Sequence, residues 1–205
     1  MDHGSRKRIA LFGGTFDPIH QGHVELIRSI EKSLLVDDIW VLPSPDPPHK
    51  QHSTFSPYHH RLQMIQLAIR ELNLPAIICE VEKELAYPSY TIQTVRYLQE
   101  HYPTDRFYLC IGADSLNQFH TWKSHEELLQ RVPLLVARRP GWARETVSKH
   151  VLNRTLMLDH PDVAISSRDL RTAISTGGTL QKPIQRQIPP SVWSYIQQEK
   201  LYHDA

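Results

Sequence analysis

The residues best suited to chemistry form one continuous segment, Gly13-Gly14-Thr15-Phe16-Asp17-Pro18-Ile19-His20-Gln21-Gly22-His23. Paired glycines let the main chain approach a ligand closely, and a helix that begins after them offers unpaired N–H groups and a positive dipole end to an anion. Gly22 leaves no side chain between His20 and His23, so both imidazoles can make charge-assisted contacts with one phosphate. The segment therefore predicts a phosphate-binding loop, although a glycine turn with solvent-facing histidines, or a metal site with i and i+3 ligands, would have the same pattern.

A second segment, near the other end of the chain, reads Ile165-Ser166-Ser167-Arg168-Asp169-Leu170-Arg171. Ser166 and Asp169 have the spacing of a helix-capping box, so a helix is predicted to begin at the two serines. Taken alone, the pattern favours a capped amphipathic helix over a ligand site. Together with the first segment it gives two helix N-termini with basic or hydroxyl groups, which suits a bound triphosphate.

Three further side chains are candidates for ligand contact. Lys50 follows a proline-rich loop and could bring a mobile charge to a phosphate, or be a solvated lysine at a loop tip. Asp114 follows a predicted strand and should emerge at the carboxyl edge of the sheet, unless it only caps a helix. Trp122 could offer an aromatic platform or simply be packed. The His-His-Arg run at residues 59–61 opens a predicted helix and is expected at the surface.

The elements that must position these residues alternate between short apolar runs and longer segments of helical period, which predicts a doubly wound α/β parallel sheet with helices on both faces. Strands are predicted at residues 9–12, 38–42, 76–81, 107–111 and 134–137, with a brief one at 164–165. Inward helix faces are predicted for Val24, Ile27, Ile30 and Leu34; Leu62, Ile65, Ile69 and Leu72; Ile92, Val95 and Leu98; and Val192, Trp193 and Ile196. A short helix with Ser124 and Glu127 as its capping box is predicted to end at Arg131.

Length and composition predict a single domain over residues 1–205, with residues 1–7 flexible or left over from expression. Lys and Arg number 23 against 22 Asp and Glu, so no overall field would hold the protein on a nucleic acid. Cys79 and Cys110 form no C-x-x-C pattern, which argues against a disulfide framework or structural zinc and favours a cytoplasmic location. No apolar run approaches the roughly 20 residues that span a bilayer.

The first segment resembles the H-x-G-H motif of the nucleotidylyltransferase superfamily, and its longer form is similar to that of the bacterial nicotinate mononucleotide adenylyltransferase family. The resemblance extends to Pro47-Pro48-His49-Lys50, Tyr90-Thr91-Ile92, Ile111-Gly112-Ala113-Asp114-Ser115-Leu116 and Trp122, and so covers nearly the whole chain. The second segment resembles I-S-S-T-x-I-R, the second signature of the superfamily. It departs from that signature at Arg168, where the motif has Thr, and at Leu170, where it has Ile.

The resemblance implies adenylyl transfer from ATP, accompanied by Mg²⁺, to nicotinate mononucleotide, a late step of NAD biosynthesis that yields nicotinate adenine dinucleotide and pyrophosphate. It implies catalytic roles for His20, His23, Lys50 and Arg171. ATP would contact Gly13, Gly14, Thr15, Phe16, His20, His23, Ile165, Ser166, Ser167 and Arg171. The mononucleotide would contact Gly14, Thr15, Lys50, Thr91, Asp114, Trp122 and Arg139, with its ring on Trp122 and its carboxylate on main-chain N–H groups near Thr91 and Lys123. No protein ligand to the metal is expected.

Several other functions share part of this pattern. A pantetheine-phosphate adenylyltransferase would carry Thr in place of His20. A nucleotide-binding regulator without turnover would keep the histidines but release no pyrophosphate. An H-x-x-H metal hydrolase would also keep them, and it would contain tightly bound zinc. The expected partners are small-molecule substrates rather than nucleic acid or a membrane, and a homo-oligomer is left open.

Overall fold

The computed structural model describes residues 6–45, 55–86, 88–137, 147–161, 163, 165–176 and 184–203. Within these residues a six-stranded parallel sheet has the strand order β3-β2-β1-β4-β5-β6. The strands are β1 Arg8–Gly14, β2 Asp38–Pro43, β3 Ile77–Ile78, β4 Arg106–Gly112, β5 Leu134–Ala137 and β6 Thr155–Leu158. The helices are α1 Gln21–Lys32, α2 Tyr58–Leu72, α3 Thr91–His101, α4 Ala113–Asn117, α5 His125–Arg131, α6 Lys149–Leu152, α7 Ser167–Ser175 and α8 Pro190–Gln198.

The strand order reverses between β1 and β4, which makes their carboxyl ends the topological switch point of a doubly wound sheet. This confirms the predicted fold class. The two strands pair in register from Arg8 with Arg106 to Phe12 with Cys110, and each ends in a glycine, Gly14 or Gly112. The loops that follow them therefore open side by side, at the place where ligands bind in open α/β sheets.

Successive residues along each strand pack on opposite faces of the sheet, so two separate cores form. Ala10 and Phe12 lie in one core with apolar residues of α1, α2, α7 and α8. Ile9 and Leu11 lie in the other core with residues of α3, α4, α5 and α6. Burial of each large apolar side chain contributes about 1.5–3 kcal/mol, which fixes the orientation of both helix layers against the sheet. The helix N-termini that face the switch point are positioned in this way.

The structure corrects several predicted strand and helix positions. The predicted strand at 76–81 is reduced to β3, and Val81 begins a 3₁₀ turn that ends at Lys83. The strand predicted at 164–165 is wrong, since Ile165 is not in a strand and residue 164 lies outside the described residues. The sheet is completed by β6, whose four residues gave too short a pattern to predict. Leu34 is 77% exposed with φ of 53°, because α1 has already ended at Lys32.

Two helix details were also predicted wrongly. Ser124 precedes α5 in the left-handed region at φ of 52° and makes no side-chain cap bond. Glu127 accepts instead from Arg96 of α3 and from Arg131, so its carboxylate joins two helices rather than closing a capping box. No helix among the described residues combines the length and the apolar character needed to cross a bilayer.

The buried face of α2 differs most from the prediction. Leu62, Ile69 and Leu72 are only partly buried, and the fully buried positions are Arg61, Met64, Ile65 and Ala68. Arg61, which was expected at the surface, is 2% exposed. Its guanidinium donates to main-chain carbonyls of Ser56 at 3.0 Å, Thr15 at 3.0 Å, Ser44 at 2.7 Å and Pro45 at 2.8 Å. One cation thus joins the chain segments after β1, after β2 and before α2.

We predict that Arg61→Lys destabilises the protein by on the order of 3 kcal/mol. An ammonium group cannot reproduce the planar fork of the guanidinium, so buried carbonyls lose donors. Urea unfolding monitored by circular dichroism measures the effect. Arg70→Lys is the matched control, because Arg70 lies exposed on the same helix and should change stability by less than about 0.5 kcal/mol. Equal effects of the two substitutions would contradict the role given to Arg61.

Candidate active site

The loop after β1 and the start of α1 hold the two histidines in a reciprocal arrangement. His20 is the N-cap of α1, and its Nδ1 accepts a hydrogen bond from the Gly22 N–H at 3.1 Å. The Nδ1 of His23 in turn accepts from the His20 N–H at 3.2 Å. The centroids of the two imidazole rings lie 3.8 Å apart, and His20 is only 5% exposed. The predicted proximity of the two imidazoles is therefore present.

The caps determine where each ring carries its hydrogen. Since both Nδ1 atoms accept from main-chain N–H groups, the hydrogen of each neutral imidazole lies on Nε2. A protonated ring would place a second hydrogen against the N–H group that it caps. With each Nδ1 engaged by a main-chain N–H, Nε2 is the ring nitrogen from which either histidine can donate to a ligand.

The main-chain N–H groups of Gln21 and Gly22 at the start of α1 are not unpaired, as the sequence had predicted. The Gln21 N–H donates to the Gln187 carbonyl at 2.8 Å, and the Gly22 N–H is taken by His20. The prediction was wrong because a helix start needs partners for its first donors, and here the chain supplies them itself. A phosphate at α1 would therefore meet the histidine side chains rather than these two main-chain N–H groups.

The glycines at the end of β1 and at the start of α1 serve packing as well as access. A Cβ on Gly14 would lie 2.9 Å from the Phe16 ring, and one on Gly22 would lie 2.9 Å from the His20 ring and 3.3 Å from Ile165. Both glycines thus make room for the protein's own side chains. A Cβ on Gly13 would meet nothing within 4 Å, so the close main-chain approach predicted for a ligand applies to this position.

The loop carbonyls accept hydrogen bonds from other parts of the chain. The donors are the Ser44 N–H to the Gly14 carbonyl at 2.9 Å, Arg61 to Thr15 at 3.0 Å, Arg171 Nη1 to Asp17 at 2.6 Å, and the Ser167 hydroxyl to Pro18 at 3.0 Å. The same loop contains Phe16 at φ of 52°, in a region that bulky side chains rarely adopt, with its ring 1% exposed. Such a conformation persists only where its surroundings impose it.

The second predicted segment begins α7 as expected. The Ser166 hydroxyl accepts from the Asp169 N–H at 3.2 Å and lies 2.7 Å from its carboxylate. With the Ser167 hydroxyl bonded to Pro18, both serine hydroxyls have protein partners. The main-chain N–H groups of Ser167 and Arg168, in the first turn, have no carbonyl one turn earlier in the helix. They and the helix dipole, more than the hydroxyls, are therefore suited to an anion.

A cavity of about 680 Å³ lies between the starts of α1 and α7. It brings together most of the predicted ATP and catalytic residues, and also Asp114 and Trp122 of the predicted mononucleotide set. The predicted residues that line it are Gly13, Gly14, Thr15, Phe16, His20, His23, Asp114, Trp122, Ile165, Ser166, Ser167 and Arg171. Arg168, Leu26 and His160, which were not predicted, line it as well. Arg171 faces this cavity with 21% of its side chain exposed.

A second cavity of about 150 Å³ adjoins the first at the loop after β1. Gly13, Gly14, Thr15 and Trp122 line both cavities, and Thr91 lines the smaller one. Asp114, which was expected to contact the mononucleotide together with Thr91 and Trp122, lines the larger cavity and not the smaller. Lys50 and Arg139 lie outside the described residues, so their predicted roles stay predictions.

The smaller cavity contains features that suit a flat anionic ring. Thr91 and Ile92 open α3, where their N–H groups have no carbonyl one turn earlier, and the positive end of the helix dipole faces the cavity. Trp122 is half-buried, with its ring centroid 5.6 Å from that of Phe119. Packing on one side and cavity on the other is how an aromatic platform is held. Trp122 is therefore packed on Phe119 and lines the cavity as well, and its role as a platform for a ligand stays a prediction.

Glu82 is a cavity residue that sequence reasoning missed. It lies in the 3₁₀ turn after β3, and its carboxylate accepts from the Thr94 hydroxyl at 3.1 Å. Burial raises the pKa of Glu82, while hydrogen bonds from Thr94 and Ser44 oppose that rise. No sequence signal separated it from neighbouring Glu80 and Glu84. Among the described residues no group of three or more His, Cys, Asp and Glu could hold a metal ion.

The comparisons with known proteins agree with this geometry. Residues 11–173 match the family model described as cytidylyltransferase-like. The chain is 35% identical over 197 residues to the nicotinate-nucleotide adenylyltransferase of Bacillus subtilis, covering 96% of this chain and 98% of that protein. The Plasmodium falciparum nicotinic acid mononucleotide adenylyltransferase complexed with NaAD has a TM-score of 0.83 at 21% identity, covering 96% of this chain and 98% of that one, which shows a shared fold. The chain belongs to the cytidylyltransferase-like family and, within it, to the nicotinate-nucleotide adenylyltransferases.

We predict that Glu82→Gln stabilises the protein at neutral pH. The folded-state pKa of Glu82 is raised, so the stability that this group contributes is complete at low pH and is lost as pH rises through the folded pKa. Glutamine keeps the acceptor for Thr94 and removes the buried charge. Thermal melts from pH 4 to 8 should show a gain at neutral pH that vanishes near pH 4. Glu84→Gln, at an exposed position two residues on, is the control, and a gain independent of pH would contradict the explanation.

Proposed function

We propose that this protein transfers the adenylyl group of ATP to nicotinate mononucleotide, forming nicotinate adenine dinucleotide and releasing pyrophosphate. The observation that carries the proposal is the meeting of two cavities at one loop. The larger is lined by His20 and His23 on one side and by the start of α7 on the other. The smaller has the start of α3 and an aromatic platform. The names of its full-length relatives agree with this assignment.

The triphosphate of ATP would lie in the larger cavity. His20 and His23 would donate from Nε2, the first turn of α7 would donate main-chain N–H groups, and Arg171 would supply positive charge. Lys50 belongs to the same proposal on the strength of the family motif. These groups would stabilise the negative charge of the triphosphate. The main-chain N–H groups of Gln21 and Gly22 at the start of α1 would not take part, since they are already bonded within the chain.

Nicotinate mononucleotide would place its ring on Trp122 and its carboxylate at the start of α3, near the Thr91 and Ile92 N–H groups. Its phosphate would then reach the loop after β1, where Gly13, Gly14 and Thr15 line both cavities. The two substrates would thus meet at the one stretch of chain that the cavities share. We infer that this loop is where the reacting atoms come together.

The reaction is an in-line displacement at phosphorus. A phosphate oxygen of the mononucleotide attacks the α-phosphorus of ATP, the new P–O bond forms, and the bond from the α-phosphorus to the bridging oxygen breaks as pyrophosphate leaves. The nucleophile is already an anion, so no general base is required. The protein's task is to align the substrates and to stabilise the charge that develops on the leaving phosphates.

Magnesium enters the proposal with ATP. Mg²⁺ keeps several waters and is commonly held by one or two carboxylates together with substrate phosphates. Asp114, which lines the larger cavity, fits that limited role, whereas the described residues contain no larger group of ligands. When bound with ATP, the ion would supply charge neutralisation at the phosphates. The donors of His20, His23 and α7 act on the remaining oxygens.

The first prediction from this proposal concerns substrate choice. With ATP present, nicotinate mononucleotide should give a kcat/KM on the order of a hundredfold above that of nicotinamide mononucleotide, because a carboxamide NH₂ would oppose main-chain donors and leave them unpaired. Pyrophosphate release measures all substrates in one assay. It should include 4′-phosphopantetheine, whose use instead would identify the other adenylyltransferase. No release with any of these substrates would overturn the proposed function, and equal use of both pyridine mononucleotides would overturn the account of the smaller cavity.

The second prediction is that His23→Ala lowers kcat by roughly 10²-fold or more and changes the two KM values little. Its Nε2–H should bond most strongly to charge that develops in the transition state. His59→Ala is a matched control at a histidine of α2 that lines neither cavity. Because the His23 ring also caps His20, cooperative melting of the variant should be checked alongside the kinetics. A near-normal kcat in a folded His23→Ala protein would remove His23 from the mechanism.

A further inference from the structure

A buried carboxylate that the mechanism does not use lies at the centre of the active-site loop. Asp17 is 0% exposed, and it is contacted by three separate parts of the chain. The Tyr202 hydroxyl donates to Oδ1 at 2.6 Å, and the Ser56 N–H donates to Oδ2 at 3.2 Å. Arg171 Nη1 lies 3.9 Å from Oδ2 and also donates to the Asp17 carbonyl at 2.6 Å.

Each partner meets a physical requirement of this buried charge. A carboxylate removed from water is costly unless hydrogen bonds and an opposite charge replace its hydration. Burial, followed by the charge and hydrogen bond of Asp17, raises the pKa of Tyr202, so its hydroxyl keeps the proton that it donates. Short hydrogen bonds to an ionised group are the stronger kind. Tyr202 therefore contributes directly to the solvation of Asp17.

Arg171 connects this buried group to the larger cavity. Its Nη1 donates to the main-chain carbonyl of Asp17 and lies 3.9 Å from the Asp17 carboxylate. The guanidinium lies 5.8 Å from the Phe55 ring, and 21% of the side chain remains exposed at the cavity. Ser167, at the start of the same helix, is bonded to the carbonyl of Pro18, the next residue of the loop. The direction in which Arg171 presents its remaining N–H groups is thus set from the buried side.

We propose that Asp17 and Tyr202 are positioning residues for adenylyl transfer. The Tyr202 hydroxyl, from the segment after α8, completes the shell of Asp17, and Asp17 holds the guanidinium of Arg171 in the orientation that meets the ATP phosphates. The end of the described chain is in this way part of the active site without touching a substrate. This inference rests on the proposed function, because it assigns a support to a residue proposed to bind ATP.

The test is Tyr202→Phe, with Tyr195→Phe as the matched control. Phenylalanine keeps the packed ring and removes the hydroxyl, and Tyr195 carries its hydroxyl 2.7 Å from His60 Nδ1, away from Asp17. Tyr202→Phe should lower kcat/KM for ATP by roughly tenfold or more and leave the KM for nicotinate mononucleotide within about twofold. Tyr195→Phe should leave both unchanged. An effect of Tyr202→Phe that falls equally on the two substrates, or no effect, overturns the inference.

A double-mutant cycle separates positioning from general stability. If Tyr202 acts through Arg171, Tyr202→Phe has no further effect on kcat/KM for ATP in an Arg171→Ala background, although it still lowers the melting temperature. A full additional loss in that background would overturn the inference. If Tyr202→Phe does not fold, Asp17→Asn tests the same link, since its NH₂ would face the Ser56 N–H or Arg171. Failure of both variants to fold would show a purely structural group and would also overturn it.

Wild-type turnover is the reference that distinguishes two failures. If the wild type releases no pyrophosphate with nicotinate mononucleotide, the proposed function fails. If the wild type turns over and Tyr202→Phe matches it, only the positioning role fails.

Discussion

The loop after β1 depends on partners for its main-chain carbonyls. From Thr15 to Pro18 the chain is neither helix nor strand, so it cannot bond these groups within a regular element. The carbonyls of Gly14, Thr15, Asp17 and Pro18 accept instead from Ser44 after β2, from Arg61 of α2, and from Arg171 and Ser167 of α7. Two of the donors are guanidinium groups, those of Arg61 and Arg171, which can each bond more than one acceptor. These partners, together with the burial of the Phe16 ring, maintain the strained Phe16 conformation.

This requirement explains why the sheet and the site cannot be separated. Arg61 reaches the loop only because Met64 and Ile65 bury α2 against the sheet, and Arg171 reaches it only because Leu170 and Ile174 bury α7. The apolar contacts determine where the helices lie on the sheet. The hydrogen bonds from Arg61 and Arg171 then hold the loop in one conformation. Loss of packing in either helix would therefore displace Arg61 or Arg171 and leave carbonyls of the loop without their donors.

Local patterns in the sequence predicted the parts of the site that are local. The order of glycines and histidines gave the loop, and Ser166 gave the start of α7, because these depend on neighbours within a few residues. Arg61, Asp17 and Tyr202 could not be found in this way. Their partners are 46 residues away for Arg61 and Thr15, and 185 for Tyr202 and Asp17, so their burial follows from tertiary packing alone. An arginine in the first turn of a helix is expected at the surface, and only the tertiary structure shows that three chain segments surround Arg61.

The hydrogen bonds at the start of α1 bear on how this protein would bind an anion. The sequence suggested that main-chain N–H groups would meet the phosphate directly, yet the N–H groups of His20 and Gly22 donate to the Nδ1 atoms of His23 and His20. Each ring accepts at Nδ1 and can donate from Nε2. A ligand at the start of α1 would therefore meet an imidazole Nε2 in place of the main-chain N–H group that the ring accepts from. Hydrogen bonds arranged in series polarise one another, so the main-chain dipoles of α1 can strengthen the Nε2–H donors. Arg171 brings a formal positive charge to the larger cavity, and for that reason its orientation matters more than the sequence indicated.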